Sequence, residues 1–491
     1  MCMKQSFFML SLLIPGPKGP GNNIDTYLQP LVKELQELWE NGLETFDAYK
    51  KESFQLHAAL MWTINDFPAY ANLSGWSTKG KYACPCCGFE TSSQWLRNGR
   101  KFCYMSHRRW LTPNHKWRLN GKDFDGTQEF RDPPIRLDGT AQLRQLDEIE
   151  DECLGDQAQR WKKKSILFSL PYWKYNELRH NLDVMHIEKN VCDNIIGTLL
   201  NQEGKSKDNY KARADLVDMG IRSILHPQPS PNTNTMLLPR ACYQMTTKEK
   251  DDFLSVLKNV KAPDECSSNI SRCVQVQQRK IFGLKSYDCH VLMQELLPIA
   301  LRGSLPDKVT SVLIDLCNFF KQICSKVLNV KFIEQLESQI AITLCQLETI
   351  FPPSFFTIMV HLVVHLAHEA KVGGPVQYRW MYPIERFLLT LKSFVRNKAY
   401  PEGSIAESFL ANECLTFCSQ YLSGVETRFS RPTRNDDEFD STLDDGSFLH
   451  PMGRPLGRKR QQKFQLKKRK RVSRAKLEKK RVTTSSQICA F

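Results

Sequence analysis

Apolar positions along this chain fall into two textures. In "TYLQPLVKELQELWENG", Leu28, Leu31, Leu35 and Leu38 keep a spacing of three to four. That spacing predicts an amphipathic helix starting at Thr26, with Asp25 as its N-cap and Gly42 as its stop. In "HNLDVMHIEKNVCDN", residues 180–194, Val184, Ile187, Val191 and Ile195 share one helical face. Asp183, His186 and Asn190, at i, i+3 and i+7, share another. One face is suited to burial, and the other carries groups that bind metals or move protons. The runs "SFFMLSLLI" (6–14) and "KKSILFSLPYW" (163–173) are short, unbroken and stopped by Pro or Gly, and predict buried strands. From 236 to about 425 helical spacing dominates, as in "LPDKVTSVLIDLCNFFKQICSKVLN" and "PIERFLLTLKSFVRN". No internal repeat is evident.

The expected fold class is therefore α/β followed by an all-α part. Residues 1–79 read as strand, loop and helix. Residues 80–118 are short, aromatic and rich in Cys and His. Residues 119–224 are irregular until the second strand and the polar-striped helix. "LHPQPSPNTNT" (225–235) is a linker. Residues 236–425 form a helical domain, and 426–491 read as disordered.

Charge changes the picture only at one end. Residues 457–481 hold 14 Lys or Arg against one Glu, which is +13 of the net +15. The body is nearly neutral and so is not a basic nucleic-acid clamp. The dense run Lys467, Lys468, Arg469, Lys470 and Arg471 predicts nuclear import and phosphate contacts. The bland alternative is a solvated tail. An acidic patch, 435–446, precedes it. No apolar stretch reaches the ~18 residues of a membrane span, so no membrane association is expected. The 17 cysteines, with no secretory signal, suggest a reducing compartment rather than a disulfide framework.

Candidate chemistry lies in three places. Cys84 and Cys87 form a Cys-x-x-Cys knuckle, and His107 and His115 could close a tetrahedral structural Zn2+ site. The alternative is unligated thiols in a loop. His361, His365 and His368 share one face of "HLVVHLAHEA", but Leu362 stands where a zinc hydrolase needs its general-base Glu, so a packed histidine face is the better reading. The carboxylates of Asp25, Asp183 and Glu385 could bind catalytic metal. Each also has a structural account, as N-cap or first-turn acid.

The segments "LLIPGPKGPGNNIDTYLQPLVKELQELW", "ACPCCGFET", "YMSHRRWL" and "LRHNLDVMHIEKNVCDNIIGTLLN" resemble plant CACTA (En/Spm-type) DNA transposases. "LPIALRG", "HLVVHLAHEA" and "GGPVQYRWMYPIERFLLTLKSFVRNKAYPEGSIAE" resemble the helical plant domain of unknown function that often follows. The resemblance covers about residues 5–425. It implies a ribonuclease-H-like core, here partial, in which three acids hold two Mg2+ or Mn2+ ions for attack on a DNA phosphodiester. Asp25 takes the position of the second catalytic Asp. Asp183 and His186 match a D-x-x-H signature and are supporting residues. Glu385 is the candidate final Glu, with Glu188 as its rival. The first catalytic Asp is expected upstream of residue 1, which would leave the chain inactive alone. Expected partners are DNA, further copies of the chain or other transposon-encoded proteins, in the nucleus. The alternative is a nuclear interaction protein without catalysis.

Overall fold

The computed structural model describes residues 3, 7–16, 18–47, 49–151, 161–230, 236–261, 268–420 and 488–489. The acidic patch 435–446 and the basic residues 467–471 lie outside them.

Helix α1 (Ile24–Glu40) buries Ile24, Leu28 and Val32 along one stripe. It begins two residues before the expected start, so Asp25 sits in its first turn and Asn23 is the N-cap. An exposed antiparallel hairpin follows, β1 (Leu43–Asp47) with β2 (Glu52–Leu56). Next come β3 (Thr63–Ile64) and α2 (Phe67–Ser74). Asp66 caps α2 by accepting from the Ala69 N–H at 2.8 Å. Gly75 ends it at φ 80°, where an added Cβ would lie 2.1 Å from the Lys163 carbonyl oxygen, so only glycine fits. The Cys/His-rich segment carries a short hairpin, β4 (Gln94–Leu96) with β5 (Lys101–Cys103).

Two expected strands are something else. Among the described residues of that run, 7–14, only Leu12–Leu13 is a strand. Phe7 and Met9 are exposed, and Ile14 is the buried member. The run 163–173 folds as two 3-10 turns, Ile166–Ser169 and Trp173–Tyr175. Ser165 caps the first by accepting from the Leu167 N–H at 3.3 Å. Leu167 and Leu170 are both buried. Three residues apart, they share a side in a three-residue turn but not in a strand of period two.

Strand β6 (His180–Asn181) pairs in parallel with β3, Thr63 against His180 and Ile64 against Asn181. Every sheet among the described residues has two strands. Among the described residues this is the one parallel pair. Helix α3 (Val184–Leu199) follows β6 directly and buries Val184, Ile187, Val191 and Ile195, as the pattern required.

The remaining helices that matter here are α4 (Ser286–Val291), α5 (Asp307–Ile323), α6 (Val330–Ile350), α7 (Ile358–Gly373) and α8 (Tyr382–Ser393). One apolar core holds Cys84, Cys87 and Met105 together with side chains of α3, α5, α6 and α7. Met1–Ile14, Gly19–Ser393 and Gln487–Phe491 accordingly belong to one unit, within which residues on both sides of 225–235 share that core. The described part of the second unit is dominated by the helix Pro401–Gln420.

Candidate metal centre and acid cleft

The Cys-x-x-Cys turn is preorganised by its own backbone. The Cys87 N–H donates to Cys84 Sγ at 3.4 Å, and the Gly88 N–H donates to the Cys84 carbonyl at 3.0 Å. Gly88 has φ 55°, which lets the chain turn back after the second thiol. Facing this turn is α7, whose His361 and His365 lie one helical turn apart. Cys87 Sγ is 3.3 Å from both His361 Nε2 and His365 Nε2, and Cys84 Sγ is 3.3 Å from His365 Nε2. The four donor atoms lie within 4.8 Å of one another. Tetrahedral zinc, with bonds of ~2.3 Å to sulfur and ~2.0–2.1 Å to nitrogen, sets neighbouring S and N about 3.6 Å apart. The residues fit a closed Cys2His2 zinc site.

Burial pushes the Cys84 thiol well up. It pushes His361 well down, with His107 and Arg109 adding to the effect, and His365 well down, with His361 and Arg136 adding. Neutral imidazole is the form a metal needs. The thiol must lose its proton to the bound cation, which couples metal affinity to pH.

The expected ligands His107 and His115 are placed elsewhere. His107 Nδ1 bonds Glu348 Oε1 at 2.6 Å, and both side chains are fully buried. Its ring packs on that of His361, centroids 5.4 Å apart, beside the centre. His115 caps a short helix, its Nδ1 accepting from the Trp117 N–H at 3.2 Å. His368 points outward, half-exposed and 3.8 Å from Glu337. The histidines that contact the thiols stand more than 270 residues along the chain, beyond the reach of any local spacing rule.

The expected catalytic residues divide. The Asp25 carboxylate is bonded by Lys163 Nζ and accepts from the Ile166 N–H at 3.2 Å. It holds the 163–166 segment against α1, and no contact joins it to the other candidates among the described residues. Asp183 and His186 do come together. Asp183 is the N-cap of α3, accepting from the Met185 and His186 N–H groups at 3.3 Å each. It also accepts from the Met381 N–H at 3.1 Å and bonds His186 Nδ1. His186 Nε2 then lies 3.6 Å from Glu385 Oε1 in the first turn of α8. Glu188, the rival of Glu385, points away into the helical core, bonded to His290 Nδ1 at 2.7 Å.

One acid was missed. Asp66 and Asp183 each lie two residues past the paired Ile64 and Asn181. Both carboxylates therefore leave the same end of the parallel pair. Burial would lower the His186 pKa, but the Asp183 hydrogen bond and charge, then Glu385 and Asp66, raise it overall. Burial raises Glu385, opposed by His186 and reinforced by Asp183 and Asp66. In the sequence, Asp66 before "FPAY" reads as an ordinary N-cap, which it also is. Its register with Asp183 appears only once the strands pair.

The two clusters are mechanically linked. Glu369, one turn after His365 on α7, accepts from the Leu182 N–H at 3.0 Å, next to Asp183. Its other oxygen bonds Arg136 at 3.0 Å, and Arg136 in turn reaches Cys86 Sγ at 3.1 Å.

Comparison with known families finds two matches. Residues 1–149 match "Transposase family tnp2", the plant CACTA-type transposase family. Residues 323–436 match "Domain of unknown function (DUF4218)", a plant domain typical of these transposases. No curated protein and no solved structure gives a significant match.

Proposed function

We propose that this chain, which carries a tnp2 transposase-family segment joined to DUF4218, is the metal-binding DNA-processing body of a transposase-derived protein. One observation carries the reading. Cys84 and Cys87 come from the tnp2 segment, whereas His361 and His365 come from DUF4218. The acid cleft is likewise shared, with Asp66 from the first segment, Glu385 from the second, and Asp183 and His186 between them.

A structural zinc on the four Cys and His ligands would pin α7 to the Cys-x-x-Cys turn. Glu369 then fixes the backbone before Asp183, and Asp183 fixes the tautomer and direction of His186. Four donors already occupy Asp183. Asp66, with one oxygen on the Ala69 N–H, and Glu385, partly exposed beside His186, are thus the carboxylates with oxygens left to face a hard cation such as Mg2+ or Mn2+. A divalent cation there would polarise a phosphodiester and lower the pKa of bound water. His186, raised toward its protonated form between these acids, would contact a phosphate oxygen or hold Glu385 in place. Two free carboxylates under-neutralise a pair of divalent ions. With these two carboxylates the cleft should bind Mg2+ weakly. The basic run 467–471 would supply sequence-independent phosphate contacts and nuclear import.

The test replaces Mg2+ with Fe2+ and adds ascorbate, so that radicals cut the polypeptide beside the bound ion. Cuts should cluster near residues 66, 183–186 and 385. They should vanish in Asp66→Asn and Glu385→Gln and persist in Asp25→Asn. Cuts that depend on Asp25 and ignore Glu385 would overturn the assignment.

A further inference from the structure

Behind the acid cleft, on the buried side of α3, lies a second cluster that the proposed chemistry does not use. Glu188 lies five residues beyond Asp183, on another face of α3, and its side chain is 1% exposed. Its Oε2 accepts from His290 Nδ1 at 2.7 Å and its Oε1 from Gln294 Nε2 at 2.9 Å. Cys324, at the C-terminal end of α5, completes the group. One donor atom each from Glu188, His290 and Cys324 lies within 4.8 Å of the others. The three residues come from α3, α4 and the end of α5, so the cluster ties three elements at one point.

We propose that Glu188, His290 and Cys324 form a second transition-metal site, with zinc as the natural occupant, that anchors the helix bearing Asp183 and His186. Carboxylate, imidazole and thiolate are together a zinc donor set. The surroundings suit a cation better than they suit the bare ligands. A carboxylate in an apolar helical core needs compensating charge, and here its partners are an imidazole and an amide. The rings of Tyr287, Trp380 and Tyr382 pack around His290 at centroid distances of 6.0, 5.8 and 5.9 Å and leave its side chain 17% exposed. The Tyr382 hydroxyl is buried and finds no hydrogen-bond partner among the described residues. Its ring stands 5.9 Å from that of His290, so the hydroxyl would be able to bond a water held at the site. Gln294 lies in a π turn, Leu292–Leu296, a feature that recurs at functional sites. Glu188 and His290 meet across a hydrogen bond, as Cys87 and the two histidines do in the first centre.

The site is independent of the Cys2His2 centre, and the test separates them. The full chain is purified and zinc is measured by mass spectrometry. Two equivalents per chain are expected, falling to one in Cys84→Ser/Cys87→Ser and to one in His290→Ala/Cys324→Ser. Cobalt substitution gives a second readout that does not rest on stoichiometry. In the Cys84→Ser/Cys87→Ser background a thiolate-to-cobalt band about half as intense as that of a two-thiolate centre should remain, and it should disappear on adding Cys324→Ser. Wild-type protein with one zinc, lost entirely with Cys84 and Cys87, would overturn the second site and leave the first intact. One zinc retained without Cys84 and Cys87 but lost with Cys324 would support the second site and overturn the first. Circular dichroism of Cys324→Ala checks that loss of metal is not loss of fold.

Discussion

The Cys84/Cys87/His361/His365 cluster and the Asp66/Asp183/His186/Glu385 cleft are built from the same two segments, yet they are built differently. In the first, three of the four ligands are buried and His365 nearly so, and each has soft or borderline donor atoms turned inward. In the second, Asp183 is buried and accepts several hydrogen bonds, whereas the Glu385 side chain is 45% exposed and, among the described residues, is paired with His186. A closed set of donors without a free position suits structure. A cleft with one fixed acid and others left open suits an exchangeable cation and a substrate. On the proposed reading the buried centre would set the frame and the open cleft would hold the exchangeable cation, with Glu369 as the link.

The contrast can be broken most forcefully at the metal. Cys84→Ser or His365→Ala should remove the staple and cost at least about 4 kcal/mol of stability. His115→Ala should cost about 1 kcal/mol, the value of a cap. Thermal melts with zinc quantified alongside would show both. Next in size is the wall of the centre. Glu348→Ala leaves fully buried His107 without its partner and should cost about 3–5 kcal/mol, while zinc stays bound. Zinc lost in that variant would make His107 a ligand after all.

Within the cleft the expected costs are smaller and unequal. Asp183→Ala removes the cap of α3 and the bond to Met381, and should cost about 2 kcal/mol. Glu385→Gln should cost under about 1 kcal/mol, because its ion pair with His186 is partly exposed. Chemical denaturation of the two variants should separate them. If Glu385→Gln proved the more destabilising, the division into fixed and open acids would be wrong.

The smallest effects are read against pH. His186 is raised in the fold, so its contribution is full below about pH 6.5, the ordinary value. It is lost as pH rises through the higher folded value. His180 behaves oppositely. Burial, with Arg179 adding to it, lowers it to about 3. The unfolded chain therefore takes up a proton first, and stability falls below about pH 6.5 by up to about 1.4 kcal/mol per unit. His186→Gln should lose stability at pH 6 more than at pH 8, and His180→Gln should flatten the acid limb.

Much of the helical frame was legible, because burial of one stripe demands a three-to-four spacing that α1, α3, α5, α6, α7 and α8 all keep. The strands were not. Short apolar runs such as 163–173 satisfy a strand or a pair of tight turns equally, and the choice is made by what they pack against. The Cys-x-x-Cys turn could be recognised because its geometry is local. Its partners could not, because His361 and His365 sit among Leu and Val, where a buried ligand and a packed histidine look alike. Asp66 was hidden in the same way by its second duty as a helix cap, and Asp25 drew attention that its bond to Lys163 does not support.

The central claim is that one metal joins the tnp2 segment to DUF4218 through Cys84, Cys87, His361 and His365. Zinc X-ray absorption of the His290→Ala/Cys324→Ser protein, which retains only that centre, tests it most directly. The account predicts two sulfur neighbours at about 2.3 Å and two imidazole nitrogens at about 2.0 Å, unchanged by His107→Gln/His115→Gln and lost with His361→Ala/His365→Ala. Two sulfurs with imidazoles that disappear on changing His107 and His115 instead would contradict it.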